Sequence, residues 1–195
     1  EEWNQTFGGS YVDRGRSVQQ TTDGGYIITG ATSSSEIGYF DLWLIKTDSE
    51  GNEEWNQTFG EESQERGYSV QQTTDGGYII TGSTWFSGPD DMAYWLIKTN
   101  SQGNEEWSQT FGEGYVHSGY SVEQTLDGGY IITGLGGSFK TDSEGDEEWM
   151  SDIEGNSVQQ TTDGGYIITG NGVSLIKIDS EGDEEWIQIF SLGGS

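Results

Sequence analysis

The side chains able to do chemistry in this chain are carboxylates, aromatics and a single histidine. Thirty-four Asp and Glu stand against seven Lys and Arg, with one His, eight Trp and no Cys. One histidine rules out a multi-histidine metal site and leaves a Ser-His-Asp triad only one place to assemble, at His117. The absence of Cys removes thiolate nucleophiles, thiolate metal sites and disulfides. Two adjacent carboxylate pairs, Glu61 with Glu62 and Asp90 with Asp91, have the residue types of a glycosidase acid and base. Such a pair must stand about 5 to 9.5 Å apart across a sugar, and in a chain this acidic neighbouring acids also arise from composition alone. The oxygen-rich stretches Asp48-Ser49-Glu50-Gly51-Asn52 and Asp142-Ser143-Glu144-Gly145-Asp146 share residue types with cation loops. They lack the spacing of a calcium loop with its distal bidentate Glu. A hairpin turn accounts for them, and calcium is the weaker alternative.

The formal net charge of -27 is spread along the chain. Duplex binding relies on basic side chains that neutralise phosphates, so nucleic acid is not an expected partner. An anionic membrane surface would repel the chain, and no apolar run is long enough to insert into a bilayer. Glu1 falls inside a repeat frame, and the sequence therefore reads as a mature or excised segment.

What must position these residues is a repeat. Asp-Gly-Gly-Tyr-Ile-Ile-Thr-Gly occurs at Asp23 to Gly30, Asp75 to Gly82, Asp127 to Gly134 and Asp163 to Gly170. A short unit that cannot bury its own apolar face must stack on copies of itself. Each full copy contains four strand-like segments separated by Gly, Asp, Asn and Ser clusters: Ser17 to Thr21, Tyr26 to Thr29, Leu42 to Lys46 and Glu54 to Phe59 in the first. Leu42-Trp43-Leu44-Ile45 is apolar at consecutive positions, which predicts a strand buried on both faces. Lys46, Lys98, Lys140 and Lys177 recur at one position of the third strand, beside the Glu-Glu pair of the fourth, and read as cross-strand scaffold pairs.

Four short antiparallel strands per repeat, with an aromatic on the outermost, form the sequence pattern of propeller blades. The prediction is an all-β, small β-propeller of four blades of four antiparallel strands in a single domain. Its repeat units run 8–59, 60–111, 112–153 and 154–190. The Trp residues Trp3, Trp55, Trp107, Trp149 and Trp186 number five against four copies of the other strands, so 1–7 is expected to supply one extra Trp-bearing terminal strand. An unpaired apolar strand is a template for association. Trp3, Phe7, Trp186 and Phe190 are therefore the candidate assembly residues, with self-association into a head-to-tail fibre as the implied behaviour.

The frame Glu54-Trp-Asn-Gln-Thr-Phe-Gly, then Ser69-Val-Gln-Gln-Thr-Thr-Asp-Gly-Gly-Tyr-Ile-Ile-Thr-Gly, then Leu96-Ile-Lys-Thr-Asn-Ser-Gln-Gly-Asn-Glu-Glu-Trp107 resembles the tandem propeller-type repeats of secreted archaeal and bacterial surface proteins. The resemblance spans nearly the whole chain and implies an extracellular or cell-surface setting, with no reaction attached. Asp48 to Trp55 is distantly similar to the hairpins of quinoprotein and Asp-box propellers, but its spacings fit neither, so no quinone or glycosidase site is carried over.

Comparison among the copies separates scaffold from candidate surface. The hairpin turns barely change, whereas two connections vary in length and content, and a propeller places both on one face. The candidate binding residues there are Tyr11, Arg14, Tyr39, Phe40, Trp85, Phe86, Asp90, Asp91, Tyr115 and His117. Aromatic rings beside carboxylates suit a glycan, and capping of the blade tops is the plainer role. Asn4 and Asn56 head Asn-x-Thr acceptor sequons and are candidate glycosylation sites. The function expected is a non-enzymatic structural or adhesive module without a cofactor. A lectin-like glycan binder is the alternative, and a glycosidase the third.

Overall fold

The computed structural model describes residues 3–33, 39–60, 63–86, 91–112, 116–170, 172 and 174–190. Its sixteen strands are β1 Asp13–Gln20, β2 Tyr26–Ser33, β3 Phe40–Thr47, β4 Glu53–Phe59, β5 Arg66–Gln72, β6 Tyr78–Trp85, β7 Met92–Thr99, β8 Glu105–Phe111, β9 Ser118–Gln124, β10 Tyr130–Leu135, β11 Gly137–Thr141, β12 Glu147–Ser151, β13 Ser157–Gln160, β14 Tyr166–Thr169, β15 Ser174–Ile178 and β16 Glu184–Ile189. They form four antiparallel sheets of four strands, each with consecutive strands as neighbours. Among the described residues no helix is long and apolar enough to cross a membrane.

Each sheet follows from its turns. Between β1 and β2, Gly24 takes a φ of 88°, which an L side chain resists, and its N–H donates to the Thr21 carbonyl at 2.9 Å. Gly25 is needed for a different reason. A Cβ there would stand 2.0 Å from the Thr47 carbonyl oxygen, because β3 passes directly beside the turn. The pair of glycines thus serves both the bend and the close approach, and it recurs in every copy.

The chain divides into two compact units, residues 1–119 and 120–195. In the first, the sheets β1–β4 and β5–β8 share a core in which Leu42, Leu44 and Phe59 meet Val70, Tyr78 and Ile80, with Trp55 and Trp95 at its edge. β3 is buried on both faces, as its unbroken apolar run requires. Polar bonds join these sheets as well: the Thr22 N–H donates to Gln72 Oε1 at 2.8 Å, and the Gln72 N–H to Gln19 Oε1 at 2.6 Å. In the second unit, Ile131 lies with Val158, Tyr166, Ile168, Ile176 and Ile178, and Trp149 packs against them.

The segment before β1 departs from the expectation of an extra strand. Residues 3–7 belong to no strand, yet Trp3 packs at a tilt against Tyr26 with centroids 5.9 Å apart and covers Gly51. Trp55 does the same to Tyr78 and Gly103, and Trp149 to Tyr166 and Gly182. The segment puts Trp3 in the position of an outer-strand Trp without a strand ladder, and Gln5 reaches across to Asn52.

Candidate binding face

Two groups of chemistry-bearing side chains are built by each sheet, one at the hairpin-turn end and one at the variable-loop end. At the turn end the buried Lys98 Nζ lies 2.8 Å from Asp75 Oδ2 and 2.7 Å from Glu106 Oε2, and donates to the Thr99 carbonyl at 3.0 Å. Lys46 repeats this with Asp23 and Glu54, Lys140 with Asp127 and Glu148, and Lys177 with Asp163 and Glu185. The Asp partner was hidden in sequence behind its role as a turn marker. Burial alone would raise the Asp75 carboxyl, but the hydrogen bonds from Lys98, Thr73 and the Gly77 N–H outweigh it and bring the pKa to about 2. Each of these ammonium groups is held by two carboxylates of the scaffold, and those of Lys46, Lys98 and Lys177 also donate to a backbone carbonyl.

The oxygen-rich turns are also self-contained. Asp48 Oδ1 accepts from the main-chain N–H of Glu50 and of Asn52, at 2.8 and 2.9 Å, and Oδ2 accepts from the Asn52 amide at 2.9 Å. Such a turn uses its carboxylate on its own backbone. Among the described residues no group of three His, Cys, Asp or Glu is placed to hold a metal ion.

At the loop end, Phe40 opens β3 and lies under two guanidinium groups, Arg14 at 5.3 Å and Arg66 at 5.5 Å from its centroid. Arg16 lies over Tyr68 at 5.0 Å. The ion pairs of the described residues are made by lysines, so all three arginines of a strongly acidic chain sit on aromatic rings instead. Beside Phe40, Asp41 and Glu65 flank Gly60: a Cβ there would stand 3.2 Å from Asp41 Oδ1 and 2.6 Å from Glu65 Oε2. Burial raises the Asp41 pKa. Glu65 lines an open cleft of about 510 Å³ with Ser63, Trp85, Phe86, Trp95 and Thr110.

Position argues for the structural role of Glu65. It stands at the start of its sheet just as Asp13 and His117 do; Asp13 and His117 fasten the preceding loop, and Asp13 and Glu65 each hold a Thr of the next strand. Asp13 accepts from the Gly9 N–H at 2.8 Å and from the Thr32 hydroxyl at 2.6 Å; Glu65 accepts from the Thr84 hydroxyl at 3.2 Å. His117 Nδ1 lies 2.7 Å from the Gly112 carbonyl, which can only accept, so that nitrogen carries a proton. The ring also stacks on Tyr94 at 5.2 Å. These bonds describe a loop clamp rather than a triad base.

The remaining predicted residues divide. Arg14 and Phe40 meet in one cluster, Trp85 and Phe86 in the cleft beside it, and Tyr11 and Tyr39 are exposed. The Asp91 carbonyl accepts from the Phe86 N–H at 3.0 Å. Asp90, Tyr115, Glu61 and Glu62 lie outside the described residues. Arg66, Asp41 and Glu65 were missed because nothing in sequence places them around Phe40, and Arg16 because nothing places it over Tyr68. Of the two sequons, Asn4 is exposed, and Asn56 on the edge strand β4 is engaged: its amide donates to Glu53 at 2.6 Å and accepts from the Trp43 indole at 3.3 Å.

No protein-family model matches the sequence, and no curated protein is significantly similar to it. Solved structures are similar in shape. A protein of unknown function from Bacteroides caccae superposes with a TM-score of 0.64 at 11% identity, covering 91% of this chain and 61% of that one. The C-terminal WD40 domain of Sif2 gives 0.61 at 13% identity, covering 93% and 50%. BamB from Moraxella catarrhalis gives 0.54 at 12%, covering 90% and 57%. The fold is that of a β-propeller. Its four sheets are four blades, and the chain spans between half and about three fifths of the length of these three structures. At such identities the likeness carries the fold and no activity.

Proposed function

We propose that this chain is a non-catalytic structural module of an extracellular or cell-surface assembly, which associates with itself head to tail through the faces of its first and last blades. One observation carries the reading. Val70 and Val158, equivalent residues on the first strands of their blades, are each 5% exposed, whereas Val18 on the first blade is 64% exposed. On the last blade, Trp186, Ile187, Ile189 and Phe190 are exposed. Exposed apolar side chains gathered on one face mark interaction sites. The mode is docking of faces rather than donation of the 1–7 segment as a strand, since Trp3 already packs within its own chain. No cofactor enters this reading.

Sedimentation velocity over a range of protein and salt concentration tests it. Species larger than the monomer should grow with protein concentration and with salt, which screens the charge of -27 on each copy. A monomer under every condition would refute self-association.

A second reading, a glycan-binding module, is favoured by the cleft in which Trp85 and Phe86 stand beside Glu65. The Trp85 indole N–H there is buried without a protein hydrogen-bond partner among the described residues. Binding on a glycan array that disappears in Trp85→Ala supports this reading; no binding at high protein concentration removes it.

A further inference from the structure

Five Trp residues compete for four Tyr positions in this chain, and the first blade resolves the competition in an unusual way. Trp55 and Trp149 belong to outer strands and pack on the Tyr of the following blade with centroids 5.8 Å apart and ring planes at 60° and 58°. Trp3 reproduces that geometry on Tyr26, at 5.9 Å and 54°. It lies over Gly51, as Trp55 lies over Gly103. The side chain of Gln5 also reaches across, its amide donating to Asn52 Oδ1 at 3.4 Å. Yet no strand supports Trp3, and the cover is incomplete: Val18 stays exposed, and a cavity of about 130 Å³ remains between Phe7, Trp43 and Ile28.

The last blade presents the complementary half. Trp186 sits on β16 where Trp55 sits on β4, and it is 45% exposed. Gln188 corresponds to Gln5 by its spacing from that Trp. We infer that residues 3–7 are a resident stand-in for β16 of a second copy, so that Trp186 of one molecule takes the Tyr26–Gly51 seat of another by displacing Trp3. The occupant is a second copy because the contact required already exists within the molecule, as Trp55 on Tyr78 and Gly103.

This inference rests on the self-association proposed above and reverses one expectation drawn from sequence: weakening the segment before β1 should promote assembly. The test is sedimentation velocity of the full chain and its Trp3→Ala, Trp186→Ala and doubly substituted forms, with circular dichroism to verify folding. Trp3→Ala should assemble at least tenfold more tightly than the parent chain, and Trp186→Ala should abolish assembly in either background. A Trp3→Ala form no stronger than the parent, or assembly that persists without Trp186, overturns the stand-in and leaves self-association by another surface. A monomeric state of every form refutes both readings. Because the chain has no Cys, Asn52→Cys and Gln188→Cys placed on separate copies with Trp3→Ala give an independent check. A disulfide-linked dimer supports the seat, whereas its absence in samples that assemble refutes it. With both substitutions in one chain, an intrachain disulfide formed in monomers names the copy's own last blade as occupant and overturns the proposal.

Discussion

Replacing Gly103 with Ala isolates the interaction that seats each Trp. Gly103 has a φ of 78°, and a Cβ built on it would lie 2.5 Å from Trp55 Cζ3 and 2.8 Å from Cη2. Gly76 is the control, since its φ of 85° is similar and nothing lies within 4 Å of its Cβ position. At Gly76 only the left-handed backbone matters. It costs an L-residue about 1–2 kcal/mol, offset by about 0.4–1 kcal/mol from the stiffer unfolded chain, for a net loss of about 1 kcal/mol. At Gly103 the ring must also withdraw by about 1 Å to restore ordinary contact at about 3.5 Å. That forfeits the packing on Tyr78, worth about 0.5–1.5 kcal/mol, and adds crowding of about 1–3 kcal/mol. Gly103→Ala should therefore destabilise by about 4 kcal/mol, roughly 3 more than Gly76→Ala, with the excess vanishing when Trp55 is already Ala. Equilibrium urea unfolding measures all of these, with the slope compared among variants to show that the transition is unchanged in kind. Equal losses at the two glycines, or an excess that survives in the Trp55→Ala background, would refute the claim that the glycine exists to seat the ring.

Two further outcomes follow from the charged scaffold. Lys98→Met removes the buried ammonium but leaves Asp75 and Glu106 half exposed and able to hydrate, so the loss should be about 1–3 kcal/mol, and NMR titration should find Asp75 moved up from about 2 toward its ordinary value. The Asp23, Asp75, Asp127 and Asp163 carboxyls are all held at about 2, against 3.8 for the unperturbed group. Their folded values are depressed, so the stability they supply is present above pH 3.8 and disappears as pH falls toward about 2, while Asp41 and Glu123, raised by burial, act in the opposite sense. Thermal unfolding between pH 5 and 2, bounds set about the window of these shifts, should show the midpoint falling through that interval; a flat profile would contradict the assignment.

Much of this fold was legible because each local signal agreed with the repeat. Asp-Gly-Gly gave the turn, the apolar run Leu42-Trp43-Leu44-Ile45 gave the doubly buried strand, and the Trp spacing gave the blade period. Legibility ended where meaning depends on what lies across a face. Val18 and Val70 occupy the same Ser-Val-Gln-Gln frame, yet only the second is covered. The lysines were readable as scaffold from their register, but their Asp partners come from a turn on the other side of the sheet, a pairing that only the Gly25–Thr47 approach makes possible. Around Phe40, Arg14 arrives from β1 and Arg66 from β5, and no periodicity joins them. Loop-end clusters of this kind depend on inter-blade geometry, whereas the turns depend on their own few residues.

The same distinction bears on the self-association proposed above. A face made of Trp, Ile and Val must find cover or associate, and a formal charge of -27 on each copy opposes association over roughly a Debye length, about 8 Å at physiological salt. Apolar burial acts only at contact, so the two forces divide the approach between them. In the proposed assembly, repulsion would slow encounter at long range, while the Trp seat would decide the outcome once the faces meet. A Trp held by a ladder, such as Trp55, cannot leave without opening its strand. Trp3 has no strand ladder to open before it leaves. In the assembly proposed above, that asymmetry would make the Tyr26 seat exchangeable while its internal counterparts stay fixed.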